Sequence, residues 1–303
     1  MTAPQAAPDF RYRIPPHLER LCDDAAIFPP GRAPLDEALA SHVDHSRSAY
    51  RRFLGPLVVS ADRLDDLAVL AADLAPRSVW LAVTVPSPAA LGDALTRAGA
   101  IGSTRLAGAE IALPPEQTPD RVVPEIAEGL RVAGVETTEV YVEVPRDERR
   151  AAVLDALAYS EFDAKFRTGG IEAHLYPSET ELADAICGAV TRHLPFKATA
   201  GLHHAIRNTD PQTGFEQHGF LNLFLAVDAA RQGIDSEPNG VRERIVDILA
   251  DRDGESVAHD IRSLDPSRAM AVRASFTSFG SCSVLEPLAE LIDLDLIDPP
   301  GAS

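Results

Sequence analysis

The sequence Glu-Val-Tyr-Val-Glu-Val at positions 139–144 alternates polar and apolar residues along one short strand, and this alternation is the strongest clue to the fold. Side chains in a barrel strand point alternately into the barrel interior and toward the surrounding helices. We expect the valines to contact the helices, so Glu139, Tyr141 and Glu143 should point inward. The sequence therefore predicts a barrel with polar groups along its axis.

Seven further β-rich runs alternate with helical stretches along the chain. The eight runs are 25–28, 56–60, 79–85, 109–113, 139–144, 164–168, 196–201 and 271–279. Between them, apolar residues recur at helical spacing in 35–54, 61–74, 88–98, 121–133, 148–158, 179–193, 220–232 and 284–292. Eight strand and helix units predict a (β/α)8 TIM barrel in the α/β class. A doubly wound open sheet is the alternative.

The barrel is expected to form a single domain over residues 21–303, preceded by a proline-rich arm over 1–20 that contains Pro4 and Pro8. Residues 205–219 form a long loop after the seventh strand and are a candidate lid. Residues 233–270 insert extra helical pieces, 241–250 and 256–263, before the last strand. Ser178 and Ser283 each precede a glutamate by three residues, the spacing of a capping box.

Charge and hydropathy exclude several partners. The 28 Lys+Arg against 46 Asp+Glu give a net charge of −18, so we expect no nucleic acid partner. No apolar run is long enough to span a membrane, and the first residues lack the features of a secretion signal. We expect a cytoplasmic protein whose three cysteines are reduced. It should act on a small molecule without a cofactor, in a possible homo-oligomer.

The sequence contains only two lysines, and both occupy similar positions in their predicted strands. Lys165 and Lys197 are the only lysines among the 28 basic residues. Arginine cannot replace an amine that must lose its proton and attack a carbonyl, so a chemical role is a natural explanation. Alternation turns both lysines inward, together with Glu110 and Glu143. Both also stand four residues before a glycine, as Lys-x-x-Thr-Gly in the sixth strand and Lys-x-x-Ala-Gly in the seventh.

This pair of motifs resembles deoxyribose-phosphate aldolase and its class I aldolase relatives, barrels with a Schiff-base lysine on strand six and a second lysine on strand seven. The resemblance implies that Lys165 condenses with a carbonyl, that Lys197 lowers its pKa, and that Glu110 shuttles protons. Asp24 resembles the family's early aspartate only loosely. The implied activity is that of an aldolase-type lyase that forms an imine with a small anionic carbonyl substrate.

The residues themselves leave the state of Lys165 open. Desolvation and the cations Lys197 and Arg167 would lower the pKa of Lys165 and make it a nucleophile. A carboxylate paired directly with it, from Glu110 or Glu143, would raise that pKa and turn the amine into an anchor for a substrate anion.

We therefore predict a catalytic set and a substrate-binding set at the strand ends. The catalytic set is Lys165, Lys197, Glu110, Glu143 and His203. The substrate-binding set is Asp24, Arg167, Gly169, Gly170, Thr199, His204, Gly280 and Ser281, in which the Gly280–Ser283 turn and Arg167 would seat the anion.

Two other functions remain open. The first is a metal-dependent lyase or isomerase that uses Glu143, His203 and His218. The second is a non-catalytic barrel that binds a small anion. His42 and His45 are interpreted as part of a solvated helix face, and Glu139, Tyr141 and Arg273 as structural groups low in the barrel.

Overall fold

The computed structural model of the chain describes residues 12–135, 138–233 and 238–300. Within them, eight parallel strands close into a barrel. In the order in which they lie side by side, the strands are β1 Cys22–Asp24, β10 Phe276–Ser281, β7 Phe196–Thr199, β6 Asp163–Arg167, β5 Glu139–Glu143, β4 Thr104–Ile111, β3 Val79–Val85 and β2 Leu54–Ser60, which returns to β1. The predicted (β/α)8 barrel is confirmed, and the closed sheet excludes the doubly wound alternative.

Helices surround the barrel. They are α1 Leu35–Arg47, α2 Leu64–Leu70, α3 Leu91–Ala100, α4 Pro119–Ala133, α5 Arg150–Ala158, α6 Glu179–Thr191, α7 Phe220–Gly233, α8 Pro238–Ala250, α9 Gly254–Ser263, α10 Pro266–Ser275 and α11 Leu285–Asp293. Helix α7 is buried on every side over 220–230 because the inserted helices pack around it. A helix enclosed in this way can be apolar all round, as the sequence of α7 is.

The N-terminal part of the predicted arm, with Pro4 and Pro8, lies outside the described residues. Its remainder contacts the barrel: Arg13 forms a β-bridge with Asp298, and Pro16–Leu18 form one turn of 3-10 helix. The long loop after β7 contains a small hairpin of β8 Asn208–Thr209 and β9 Glu216–Gln217.

Two predicted strands were placed wrongly. The first strand is Cys22–Asp24, not 25–28, because the Asp24 carboxylate accepts a hydrogen bond from the Ala26 amide and turns the chain. The last strand begins at Phe276, so Arg273 and Ser275 belong to α10 and not to the barrel. The Asp265 side chain caps this helix and Pro266 occupies its first turn, two strong start signals.

The predicted alternation is correct in the strands that form the site. Val140 and Val142 are buried against the helix layer, while Tyr141 lies inside the barrel above Glu139, to which its hydroxyl donates a hydrogen bond of 2.9 Å. The register pairs Glu143 with Lys165 and Lys165 with Lys197. Parallel pairing at equal height therefore brings three charged side chains together near the strands' carboxyl ends.

The interpretation of His42 as solvated is wrong. His42 is 2% exposed and its Nδ1 lies 3.0 Å from Oδ2 of Asp24. It shares the inner face of α1 with Ala38 and Leu39, four and three residues earlier, and from this face it contacts Asp24 of β1. Asp24 thus points to the helix layer, and its neighbour Asp23 points into the barrel.

Structural polar groups close the amino-terminal end of the barrel, as the sequence predicts for Arg273, Glu139 and Tyr141. Arg273 donates to the carbonyls of Phe276 and Glu19. Burial and the nearby Glu139 raise the pKa of Asp163, at the start of β6, to about 7.

Asp163→Asn is expected to stabilise the protein above neutral pH. Between pH 3.8 and about 7 the folded chain binds a proton at Asp163 that the unfolded chain has lost, so stability falls as the pH rises through this range. Asparagine removes that penalty, which we put at about 1–2 kcal/mol for a half-buried group. Urea unfolding should show this gain at pH 8 and lose it near pH 4. The exposed Asp247→Asn controls for the lost charge, and an equal gain at both pH values would contradict the account.

Candidate active site

Two lysines and two acidic residues alternate along the barrel axis. The Lys197 amine donates to Asp23 Oδ2 at 2.5 Å and to Glu110 Oε1 at 2.6 Å. The other oxygen of Glu110 accepts a hydrogen bond from Lys165 at 3.2 Å. All four residues are at most 5% exposed. Glu110 therefore bridges the two amines.

The arrangement continues at both ends. Lys165 also pairs with Oε2 of Glu143 at 3.0 Å, and Arg167 Nε donates to Oε1 of the same carboxylate at 2.9 Å. At the other end the Ser278 hydroxyl donates to Asp23 at 2.9 Å. We call the run Asp23–Lys197–Glu110–Lys165–Glu143–Arg167 the axial ion-pair chain.

The two amines face opposite ends of the barrel. Lys165 lines a cavity of about 720 Å³ at the carboxyl ends of the strands, together with Glu143 and Arg167. Lys197 lines a cavity of about 840 Å³ at the amino-terminal ends, and Glu110 borders both. Catalytic groups of TIM barrels sit at the carboxyl ends, so Lys165 occupies the position at which a substrate would enter.

The resting site holds both amines as ammonium ions. Burial favours a lower pKa for Lys165, but Glu143 and Glu110 outweigh it and raise that pKa. The same balance, with Asp23 and Glu110, raises the pKa of Lys197. Arg167 does oppose the rise, as predicted, without reversing it. Of the two states that the sequence left open for Lys165, the resting structure contains the carboxylate-paired one.

The pKa values of the three carboxylates in the axial ion-pair chain shift in different directions. Burial disfavours their charge, yet Lys165 and Arg167 lower the pKa of Glu143 to about 2. The two lysines together lower the pKa of Glu110. For Asp23 burial dominates and raises the pKa despite the contact with Lys197. Glu143 and Glu110 are therefore held in the ionised form, whereas burial disfavours the charge of Asp23.

Sequence analysis missed Asp23 as a site residue. It named Asp24, which is 2% exposed, bonds to His42 and points to the helix layer. The error follows from the misplaced first strand, because a strand that includes residues 22–24 turns the two aspartates to opposite sides. The adjacent Asp-Asp pair was the available signal.

The predicted binding residues divide between the cavity and the packing around it. Arg167, Gly170, Thr199 and Gly280 line the cavity. Gly169 instead packs against Tyr176 and Gly201, where a Cβ atom would meet the tyrosine ring at 2.6 Å. Ser281 is 1% exposed and its hydroxyl accepts from the Ser283 amide. His204 bonds to Glu290 at 2.6 Å, outside the cavity.

His203 lines the cavity beside Cys282, a residue that sequence analysis did not select. The thiol sulfur lies 3.3 Å from Nδ1 of His203. Burial lowers the pKa of His203 and raises the pKa of Cys282, so both groups are neutral near pH 7.

The histidines proposed as metal ligands do not meet. His218 is fully buried, and its Nε2 lies 2.8 Å from the Pro177 carbonyl oxygen. Among the residues that the structure describes, no three or more His, Cys, Asp or Glu side chains group as metal ligands would. The loop that carries His218 is fixed by this bond and by an ion pair of Arg207 with Glu179. It covers the segment that begins α6 rather than the cavity.

The class defined by the fold and site is a (β/α)8 barrel with paired lysines on adjacent strands. No family model matches the chain, and neither does any curated protein. Among solved structures, the chain is similar to deoxyribose phosphate aldolase from Aeropyrum pernix, a tetramer, with a TM-score of 0.50 and 14% identity over 92% of each chain. Dihydrodipicolinate synthase from Oceanobacillus iheyensis aligns over 91% of this chain and 95% of its own, with 13% identity and a TM-score of 0.35.

The first of these similarities confirms the resemblance in fold that the lysine motifs suggested. At 14% identity the similarity concerns the barrel, not the reaction. The described part of the chain contains no helix long and apolar enough to cross a membrane.

Lys197→Met should destabilise the fold far more than Lys165→Met. Removal of Lys197 leaves Asp23 without a cationic partner and leaves Glu110 paired with Lys165 alone. Breaking a buried ion pair costs about 3–5 kcal/mol. Without Lys165, Glu110 still pairs with Lys197, and Glu143 still pairs with Arg167. Urea unfolding at pH 7 measures both losses.

The loss in Lys197→Met should shrink as the pH falls. The unpaired carboxylates would have raised pKa values in the folded state, and acid protonates them before it protonates the unfolded chain. Equal losses for the two variants, or a loss that does not change with pH, would contradict this assignment of charges.

Proposed function

We propose that this chain is an aldolase-type lyase of class I, in which Lys165 forms an imine with a small carbonyl substrate. The observation that carries the proposal is the placement of Lys165. Its amine borders the cavity at the carboxyl ends of the strands, while Glu110 contacts it from behind and connects it to the second amine. Similarity of fold to a deoxyribose phosphate aldolase supports the same proposal.

The ion pairs imply how the nucleophile is generated. The ammonium of Lys165 must give up a proton before its nitrogen can attack. We assign the acceptor role to Glu110, which accepts a hydrogen bond from the Lys165 amine at 3.2 Å and is the proton shuttle that the family resemblance implies. Glu110 also keeps its contact with Lys197, so a positive charge stays beside the site while the proton moves.

Imine formation then balances without another reagent. The free amine attacks the carbonyl carbon, and the electrons of the C=O double bond move to oxygen. Glu110 carries two protons from the nitrogen to that oxygen, one after the other, and the oxygen leaves as water. The product is a protonated imine on Lys165 beside an ionised Glu110.

Cleavage uses the imine as an electron sink. A carboxylate removes the proton from the hydroxyl group two carbons away from the imine carbon, the carbon–carbon bond breaks, and its electrons form an enamine as an aldehyde leaves. The enamine carbon takes up a proton, and water hydrolyses the imine to restore the ammonium.

The remaining residues have supporting parts in this proposal. Lys197 is a positioning residue, because it touches Glu110 and Asp23 from the far side of the cavity. His203 borders the cavity as a neutral imidazole that can donate or accept one proton. The homo-oligomer suggested by the sequence stays a prediction.

One observation favours a binding function as the second candidate. Lys165 pairs with both Glu110 and Glu143, which raise its pKa and keep it an ammonium ion that could hold a ligand without turnover. The metal-dependent alternative receives no comparable support from the positions of Glu143, His203 and His218.

Borohydride reduction in the presence of small aldehydes and ketones should trap an adduct on Lys165. Peptide mapping by mass spectrometry should locate it, and Lys165→Arg should remove it, since arginine keeps the charge but forms no imine. An adduct on Lys197 would exchange the two roles. No adduct with any carbonyl compound would overturn the imine mechanism in favour of the binding function.

The trapping rate should change little with pH near neutrality, because Lys165 passes its proton to Glu110 and the pair keeps the same total charge. An amine that lost its proton to solvent would instead react about tenfold faster per pH unit below its pKa. Glu143→Gln removes one of the two carboxylates that raise the pKa of Lys165, so the transfer becomes more favourable and trapping should be faster. Glu139→Gln, at the other end of the barrel, is the matched control and should leave the rate unchanged. A wild-type rate that rises about tenfold per pH unit would contradict the transfer to Glu110, and equal rates for wild type and Glu143→Gln would contradict this role of Glu143.

A further inference from the structure

The charged groups that border the carboxyl-end cavity do not favour an anionic ligand. The cations are Lys165, Arg167 and Arg97, and the carboxylates are Asp62, Asp93, Glu110 and Glu143. Arg97 is already paired with Asp93 and with Asp65. The cavity therefore has more carboxylates than cations, in a chain whose net charge is −18.

The two cations nearest the proposed reaction are both paired with one carboxylate. Glu143 contacts Lys165 with one oxygen and Arg167 with the other, at 3.0 and 2.9 Å. A substrate phosphate or carboxylate at Arg167 would lie beside this ionised group. Repulsion between like charges in a partly dehydrated cavity is costly.

Two backbone donors after the last barrel strand are engaged by serine hydroxyls. In TIM barrels this region often forms a phosphate site with a helix amino terminus. Here the Ser283 amide donates to the Ser281 hydroxyl, and the Glu286 amide donates to the Ser283 hydroxyl. These two amides are therefore not free to bind a substrate anion.

Much of the rest of the cavity wall is apolar. Phe28, Val58, Val85 and Leu175 border it, and Ile171 stands at the same wall with 58% of its surface exposed. An exposed isoleucine next to an apolar cavity can be covered by a hydrocarbon chain, which would gain roughly 25 cal/mol for each Å² of apolar area buried.

We infer that the carbonyl substrate is uncharged and aliphatic, not phosphorylated or carboxylated. The reactive carbonyl meets Lys165 at the inner end of the cavity, and the alkyl chain lies along the apolar wall toward Ile171. This inference rests on the proposed imine function and departs from the anionic substrate that the sequence suggested.

The test compares pairs of carbonyl compounds in which one member carries an additional anionic group. Borohydride trapping on Lys165 is measured with butanal and with 4-oxobutanoate, and in a second pair with glyceraldehyde and glyceraldehyde 3-phosphate. Each rate is divided by that of the same aldehyde with Nα-acetyl-lysine, which removes differences in intrinsic reactivity. We expect the neutral member of each pair to react at least about tenfold faster, the usual size of one uncompensated charge contact.

Three variants extend the comparison. Asp62→Asn and Glu143→Gln each remove a negative charge from the cavity and should raise the ratio of 4-oxobutanoate to butanal trapping. Ile171→Ser, at an exposed position, should slow trapping of hexanal severalfold more than that of acetaldehyde.

The outcomes separate the two proposals. Equal or faster trapping of the charged aldehydes, with Lys165 still modified, would overturn the uncharged substrate and leave the imine function intact. Absence of an adduct from every aldehyde would overturn the imine function and this inference with it.

Discussion

The structure depends on the burial of Glu110 between two amines. An ionised carboxylate inside a barrel is tolerable only when cations and hydrogen bonds compensate for its lost hydration. Lys165 and Lys197 supply both, from neighbouring strands whose register places them side by side. Their own burial in turn requires Asp23 and Glu143. Each buried charge of the axial ion-pair chain is thus stable only because its neighbours in that chain compensate for it.

The same packing explains why a protein that uses arginine for nearly all its positive charge retains two lysines. A guanidinium is too broad to replace an amine at 2.5 and 2.6 Å from two carboxylates.

The same compensation determines reactivity. Carboxylates that stabilise the buried ammonium of Lys165 also raise its pKa, so the folded resting state holds the nucleophile in its unreactive form. In the proposed reaction the proton has only to cross to Glu110, a distance of 3.2 Å. The positive charge of Lys197 remains in contact with Glu110 throughout, and the total charge of the cluster does not change. A site of this kind does not need a lysine with a low pKa, because a proton acceptor lies within hydrogen-bond distance of the amine.

Much of this could be predicted from sequence, and the failures have identifiable causes. Strand alternation placed Glu110, Glu143 and both lysines inside the barrel because valine and alanine marked the opposite side of each strand. The first strand lacks apolar residues that mark its helix-facing side, since Cys22-Asp23-Asp24 is buried on both sides, and the apolar Ala-Ala-Ile-Phe that follows looked more like a strand.

The last strand was extended into α10 because alanine and valine suit either structure, and the cap at Asp265 decides for the helix. The pKa of Lys165 was beyond prediction, because it depends on contacts of 3.0 and 3.2 Å that alternation cannot resolve.

The two lysines are equivalent in motif but not in position, and the barrel itself makes the difference. Lys197 is 2% exposed, is held by Asp23 as well as Glu110, and borders the cavity at the amino-terminal ends of the strands. Lys165 borders the cavity at the carboxyl ends, where the loops and the exposed Ile171 form an entrance. Its second carboxylate, Glu143, also pairs with Arg167, so the Glu143 charge is shared between two cations. Asp23 is shared only with the Ser278 hydroxyl. Lys165 is accordingly the amine that gives up its proton more readily, and it is the one that faces the cavity at the carboxyl ends. Both properties are needed for an amine that must bond to carbon.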